Sequence, residues 1–207
     1  MKYPLFLASK SPRRKELLSQ AGLRFQVYVP KSAEKSAPKR LKGAQEAPKI
    51  VRVIAEEKAK AALKELQSKG VKRGIILAAD TLVFFQKEII GKPKNRNDAL
   101  QMLKKLSANQ HIVITAVSLI AFSGKKITKK KSITAKTKVI FRQIYSEEFT
   151  WYLNTKEPYD KAGAYGAQGK GAAFIQKIVG SYSNVVGLPL AETLKILGEV
   201  SAAPWQN

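Results

Sequence analysis

The chain of 207 residues contains no cysteine and one histidine, His111. The first absence excludes disulfides, a thiolate zinc site and a cysteine nucleophile. The second excludes an imidazole cluster around a metal, and His111, which opens an apolar run at 112–122, reads as a structural residue rather than a ligand. Acidic side chains are also scarce, 15 against 38 basic ones, which leaves a formal net charge of +23. No apolar run reaches the roughly 18 residues that a membrane span requires. The first such run, 3–8, passes at once into charge, so no signal peptide is expected and a cytoplasmic protein without a membrane partner is the default. What is present is a hydrophobic fraction of 44%, ample for a packed core and against wholesale disorder. The length suits one domain, 1–207, or two small lobes around a cleft.

The basic excess first suggests nucleic acid, but its distribution weakens that reading. Net charge is +9, +5 and +8 over residues 1–50, 51–100 and 101–150, and +1 over 151–207, so no single arm carries it. It is also lysine-led, 30 Lys to 8 Arg, whereas base and phosphate readers favour the planar arginine fork. The densest cluster, Lys125-Lys126-Ile127-Thr128-Lys129-Lys130-Lys131, reads as a hairpin rim whose lysines block edge pairing. A nucleic-acid patch is the less favoured alternative, and no stable nucleic-acid partner is expected.

Apolar patterning alternates between strand and helix along the chain. It predicts a strand over 3–8, a helix over 12–21 stopped by Gly22, a strand over 25–30, a loop over 31–49 and a helix over 47–69 closed by Gly70. Further on come a strand over 75–85, a helix over 97–106, a hairpin of 112–122 with 133–141, and a helix capped by Ser146. Residues 157–189 read as glycine-rich and irregular, followed by a last helix over 191–197. The pattern is mixed α/β.

Four segments carry candidate chemistry. In Ser9-Lys10-Ser11-Pro12-Arg13-Arg14-Lys15, Ser11 suits an N-cap and Pro12 the first helical position, yet three cations follow at the positive end of the helix dipole. An anion at that helix start would explain them; an exposed basic turn in a basic protein reads equally well. Asp80 follows the strongly apolar 75–79, at an expected strand end where α/β proteins gather ligands, as a metal ligand or general base or as a buried turn cap. Lys92 stands between Gly91 and Pro93, as a fixed ammonium or in an ordinary turn. The 157–169 stretch has three glycines that let backbone approach a ligand, and Gln168 offers a donor and an acceptor to a base edge.

Taken in order, Leu7-Ala8-Ser9-Lys10-Ser11-Pro12-Arg13-Arg14, Ala79-Asp80-Thr81, Gly91-Lys92-Pro93, His111 with Thr115-Ala116-Val117, Asp160 to Gly169, and Val186-Gly187-Leu188-Pro189 resemble the Maf family of nucleotide pyrophosphatases. The resemblance runs from Leu7 to about Leu197. It implies an inosine-triphosphatase-like α/β fold, an elongated mixed sheet flanked by helices with two lobes and a central cleft. It implies hydrolysis of a nucleoside triphosphate to the monophosphate and pyrophosphate, with a divalent metal (Mg, Mn or Co) and a homodimer as a possible assembly. By resemblance, Ser9, Arg13 and Arg14 form the triphosphate loop, and Glu34, nine residues after Phe25, binds metal with Asp80. Asp80 is also the proton acceptor, Lys58 and Lys92 are the active-site lysines, and Arg13, Thr81 and Gln168 set base choice. That set is similar to the branch acting on dTTP and UTP; the same reaction on a modified purine such as 7-methyl-GTP, or a non-enzymatic regulator of division, are the alternatives. The chain departs from the family pattern in a longer stretch between Glu34 and Lys58, in Ala167 where Ile is usual, and in Ala78-Ala79 where Gly-Ala is usual.

Overall fold

A computed structural model describes residues 3–31 and 46–200. The Glu34 assignment, and all of the expected 31–49 loop between residues 32 and 45, therefore lie outside the described residues. In chain order the elements are β1 (Leu5–Leu7), α1 (Pro12–Gln20), β2 (Gln26–Val27), α2 (Glu46–Ser68), β3 (Arg73–Phe85), β4 (Glu88–Ile90), α3 (Arg96–Leu106), β5 (Gln110–Ser123), β6 (Lys126–Phe141), α4 (Ser146–Leu153), β7 (Ile175–Val179), α5 (Tyr182–Val186) and α6 (Leu190–Gly198). Three short 3-10 turns at 158–160, 162–164 and 170–174 join α4 to β7. No helix among the described residues is long and apolar enough to cross a membrane.

The strands form one seven-stranded sheet, ordered β2-β1-β3-β5-β6-β7, with β4 also on β3. β1 lies parallel to β2 and β3, and every other pairing is antiparallel. Side chains alternate across β3. Ile75, Leu77 and Ala79 pack on one face with Leu17 and Leu18 of α1 and Leu197 of α6. Ile76 and Ala78 pack on the other with Ala59, Ala62 and Leu66 of α2. The mixed α/β architecture expected from the pattern is the one observed.

Several local expectations change. The lysine cluster lies on a strand edge, as its lysines suggest, but the turn is shorter than expected: β6 starts at Lys126, and only Gly124, at φ 59°, and its neighbours make the turn. Because β7 pairs only with Lys138–Phe141, the rest of β6 has no strand partner on its outer edge among the described residues. Some of these lysines pair locally, Lys130 with Glu56 at 2.8 Å and Lys131 with Glu199 at 3.1 Å. Tyr145, not Ser146, is the N-cap of α4, and its amide donates to Glu148 Oε2 at 3.0 Å. The 157–189 stretch holds β7 and α5 as well as turns.

His111, 1% exposed, sits in an aromatic cluster with Phe141 and Tyr165, both edge-on to its ring. Its Nε2 lies 2.7 Å from Tyr165 Oη, while Nδ1 has no partner among the described residues. Burial lowers its pKa from 6.5 to about 4. The unfolded chain therefore takes up this proton first as pH falls, and stability drops from pH 6.5 down to about 4. Denaturant unfolding at pH 6.5 and pH 5 should show a loss of about 2 kcal/mol from this group. His111→Asn should show a correspondingly smaller loss; an equal loss would remove His111 as its source.

Candidate active site

One edge of β3 is paired to β5 along Arg73–Phe84. The opposite edge is paired to β1 over Ile75–Leu77 and to β4 over Val83–Phe85, with no strand between. Asp80 and Thr81 stand in that interruption. The expectation that Asp80 closes a strand is thus corrected: it lies within β3, opposite Ala116, and the strand that ends nearby is β1. The chain leaves β1 at Ala8, whose amide bonds Leu77 O at 2.8 Å, and turns through Ser9 into α1. Ser11 caps α1 as expected, its Oγ accepting from the Arg14 amide, and Pro12 follows.

Alternation sends Asp80 and Thr81 to opposite faces. Asp80 falls on the α2 face, where Val51, Ala55, Ala59, Ala62 and Leu66 make the buried stripe of that helix. Lys58 lies beside this stripe, and its Nζ donates to Asp80 Oδ1 at 2.5 Å. The two side chains are 24% and 18% exposed, so each charge, partly withdrawn from water, is compensated by the other.

Thr81 falls on the α1 face and meets Arg14, which is 9% exposed. Arg14 donates through Nε to Gly187 O at 2.9 Å, and through Nη1 to Ser9 Oγ at 3.0 Å and Ala79 O at 2.9 Å. Its Nη2 donates to Thr81 Oγ1 at 2.9 Å. Burial lowers the proton affinity of Arg14, and the charge of Asp80 opposes that shift. Thr81 Oγ1 is also 3.0 Å from Thr115 Oγ1 and 3.4 Å from Gly187 O, so its own proton has acceptors within the protein.

The glycine-rich segment shows what its glycines approach. A Cβ at Gly166 would come 2.8 Å from Lys161 Cε, and one at Gly169 would overlap the Glu157 carboxylate. Glu157 accepts from Lys170 N at 2.8 Å, Gly171 N at 3.0 Å and Tyr152 Oη at 3.0 Å. These glycines thus let the loop close around two charged side chains of its own. Gly163 has a separate reason, a left-handed φ of 74°. The closed loop presents Lys161, whose Nζ donates to Glu157 O at 2.7 Å and Asp160 Oδ1 at 2.5 Å. Asp160 Oδ2 is 3.4 Å from Arg13 Nη1, which links this loop to the start of α1.

These segments enclose a cavity of about 650 Å³. Ser9, Arg13, Arg14, Lys58, Asp80, Thr81 and Lys92 all line it, and so do Lys10, Lys31, Asp160 and Lys161. Seven lining side chains are cationic and two are carboxylates, a balance suited to a polyanion. The remainder of the wall is apolar, with Val83, Val113, Ala162, Tyr165, Ala167 and Val185. Lys92 is exposed and its ammonium has no polar partner among the described residues, which favours the ordinary turn over the fixed ammonium of the two readings of Gly91-Lys92-Pro93. Gln168 is exposed and lies one residue beyond the lining Ala167, outside the lining set. Sequence reasoning assigned no role to Lys10, Lys31, Asp160 or Lys161; the Asp160-Lys161 pair ahead of three glycines was the available signal.

A cation-lined cavity opening in a sheet edge, beside a helix start and two ion-paired carboxylates, in an α/β protein, is suited to a phosphorylated small molecule. The family model for Maf-like protein matches residues 4–200, and the chain belongs to that family. Among curated relatives, a dTTP/UTP pyrophosphatase of Bdellovibrio bacteriovorus is 46% identical over 92% of this chain and 95% of its own length. Proteins of the same name from Methanosarcina barkeri and Syntrophus aciditrophicus are 43% and 39% identical, each over 98% of this chain, covering 97% and 93% of their own lengths.

Loop closure around Glu157 leaves little room at Gly171. An added Cβ there would lie 2.7 Å from Tyr152 Oη and 2.9 Å from the backbone nitrogen of Gly166. Gly171→Ala should destabilise the protein by about 1–3 kcal/mol in denaturant unfolding, because backbone must move. Wild-type stability in that variant would show that the loop yields without cost.

Proposed function

We propose that the protein hydrolyses dTTP and UTP to the nucleoside monophosphate and pyrophosphate. The observation that carries this reading is the crowd of seven cations around a cavity that also holds Asp80. Membership of the Maf family and the names of the relatives support it. Arg13, Lys58, Lys92 and Lys161 would share the phosphate charge, with the Ser9 hydroxyl and the Arg13 amide at the start of α1 as donors. The apolar stretch from Val83 to Val185 would take the pyrimidine, with the Gln168 amide at its rim.

In the reaction a water oxygen bonds to the α-phosphorus while the bond from that phosphorus to the oxygen bridging the β-phosphate breaks. Pyrophosphate leaves with the electron pair, and Asp80 accepts the proton of the attacking water. Lys58 holds the Asp80 carboxylate in place and adds a compact positive charge beside it. The loop bearing Lys161 closes one side of the cavity and limits water there.

Asp80 is an oxygen donor that lines the cavity together with the cations, a donor type that would suit a hard divalent cation such as Mg²⁺, Mn²⁺ or Co²⁺. Asp80, with Glu34 by resemblance, would hold it. When bound, the ion would neutralise phosphate charge and acidify water. The reading places the activity in the cytoplasm, where nucleoside triphosphates are made, with a homodimer as an assembly to be measured.

The test is pyrophosphate release by the purified chain with a panel of nucleoside triphosphates and Mg²⁺, Mn²⁺ or Co²⁺. Release from dTTP and UTP is expected, and none under any metal would defeat the reading. Asp80→Asn should lower kcat more than about 100-fold while nucleotide binding stays measurable by calorimetry. Full turnover in that variant would remove Asp80 as proton acceptor.

A further inference from the structure

We propose that Arg14 is a positioning residue, which holds Asp80 in place by gripping the residues on either side of it, and that phosphate contact at this helix start falls to Arg13. The inference rests on the hydrolase reading above and assigns Arg14 a role different from the one the resemblance implies.

The two neighbouring arginines differ in what surrounds them. Arg13 is 24% exposed in its side chain and its one polar partner among the described residues is Asp160, at 3.4 Å. Its guanidinium can exchange that contact for a phosphate. Arg14 is buried, and four of its five N–H donors already meet protein oxygens. Two of those oxygens, Ala79 O and Thr81 Oγ1, belong to the residues immediately before and after Asp80. A third, Gly187 O, lies in the cavity wall, and the fourth, Ser9 Oγ, lies in the turn that begins α1.

Turning Arg14 toward a phosphate would strip these acceptors. Ala79 is fully buried, and an unpaired carbonyl there has no access to water. The β3 edge at Asp80 also lacks a neighbouring strand, since β1 ends its pairing at Leu77 and β4 begins at Val83. Arg14 therefore supplies, from a side chain, the edge contact to Ala79 O that a strand would otherwise make, and holds the Thr81 side chain as well. Only a planar fork reaches the four oxygens together; a lysine ammonium has the charge without the span.

The test is Arg14→Lys, which keeps the charge and removes the fork. With the protein active on dTTP, kcat should fall more than about thirtyfold while KM stays within about threefold, the signature of a lost transition-state arrangement. A phosphate ligand that binds ground and transition states alike would give the opposite split, a raised KM with kcat kept, and that result overturns the proposal. Should Arg14→Lys fail to fold, Thr81→Val decides: a kcat loss of about tenfold with faster amide exchange at 78–82 supports the proposal, and wild-type exchange overturns it; KM is no guide there, because the resemblance also sets Thr81 at the base. In a folded double variant the Thr81→Val loss should largely vanish, because its partner is already gone; full multiplication of the two losses argues against coupling. Amide hydrogen exchange at 78–82 and 185–188 reads the same staple without substrate. Faster exchange in Arg14→Lys is expected, and unchanged exchange overturns the proposal. Wild-type protein that releases no pyrophosphate defeats the hydrolase reading alone, and the exchange result still decides the role of Arg14.

Discussion

The interruption along one edge of β3 is the constraint on which the rest of the site depends. The sheet supplies long antiparallel ladders from β3 to β5 and on to β6, which hold the strand rigid from one side. The other side is handed from β1 to β4 with a space between Leu77 and Val83. Backbone in such a space must find other partners or water. The turn into α1, the Arg14 guanidinium and the wall at Gly187 converge there, and a cavity remains between them. A ligand in that cavity would lie against the backbone of a fixed strand, from which a side chain can be aimed more accurately than from a loop.

Strand alternation then divides the work. Asp80 and Thr81 are adjacent in sequence but project to opposite faces, one to α2 and one to α1. The α2 face pairs the carboxylate with Lys58, next to a helix stripe otherwise given to Ala, Val and Leu. The opposite face holds a polar chain from Arg14 through Thr81 and Thr115 to the backbone of Asn184. Asn184 is buried and bonds Val113 O and Thr137 Oγ1, so the chain reaches β5 and β6. Buried polar chains of this kind fix geometry, because a shifted member leaves its partners unsatisfied. The cavity wall at Val185 to Gly187 is held from beneath by that chain.

How much of this was legible in the sequence follows from the range of each interaction. The α1 start was readable because its signals, Ser11 and Pro12, are local. The strongly apolar β3 and the amphipathic α2 were readable from period alone. β4 was not, since its turn uses Gln86 and Lys87 at positive φ, without the glycine or asparagine that marks such turns. The lysines of β6 pointed to a strand edge but hid where the strand begins, because edge position, a property of the whole sheet, is what tolerates a run of them. In the site, the chemistry of Asp80 and the α1 cations was visible, and resemblance added Lys58, but spacing alone could not tell Arg13 from Arg14. Their difference is burial and partner geometry across 65 and 173 residues of chain. The glycines after Asp160 carried a similar ambiguity: their composition is compatible with ligand approach, while the atoms they accommodate are those of Lys161 and Glu157.

The formal charge of +23 divides along the same lines. At physiological ionic strength exposed charges are screened over about 8 Å, so the lysines of the β6 edge add little to affinity at the cavity. Several are also offset locally, as Lys130 is by Glu56 and Lys129 and Lys131 are by Glu199. Affinity for a polyanion must then rest on the seven cations of the lining, two of which share Asp160 and one of which pairs with Asp80. These carboxylates keep the cations from repelling one another before a ligand arrives. A triphosphate entering the cavity can replace Asp160 at Arg13 and Lys161 without leaving either cation unpaired. Asp80, seated on Lys58 in the strand-edge gap, has no such freedom to move aside, which suits the proton acceptor that the proposed reaction requires.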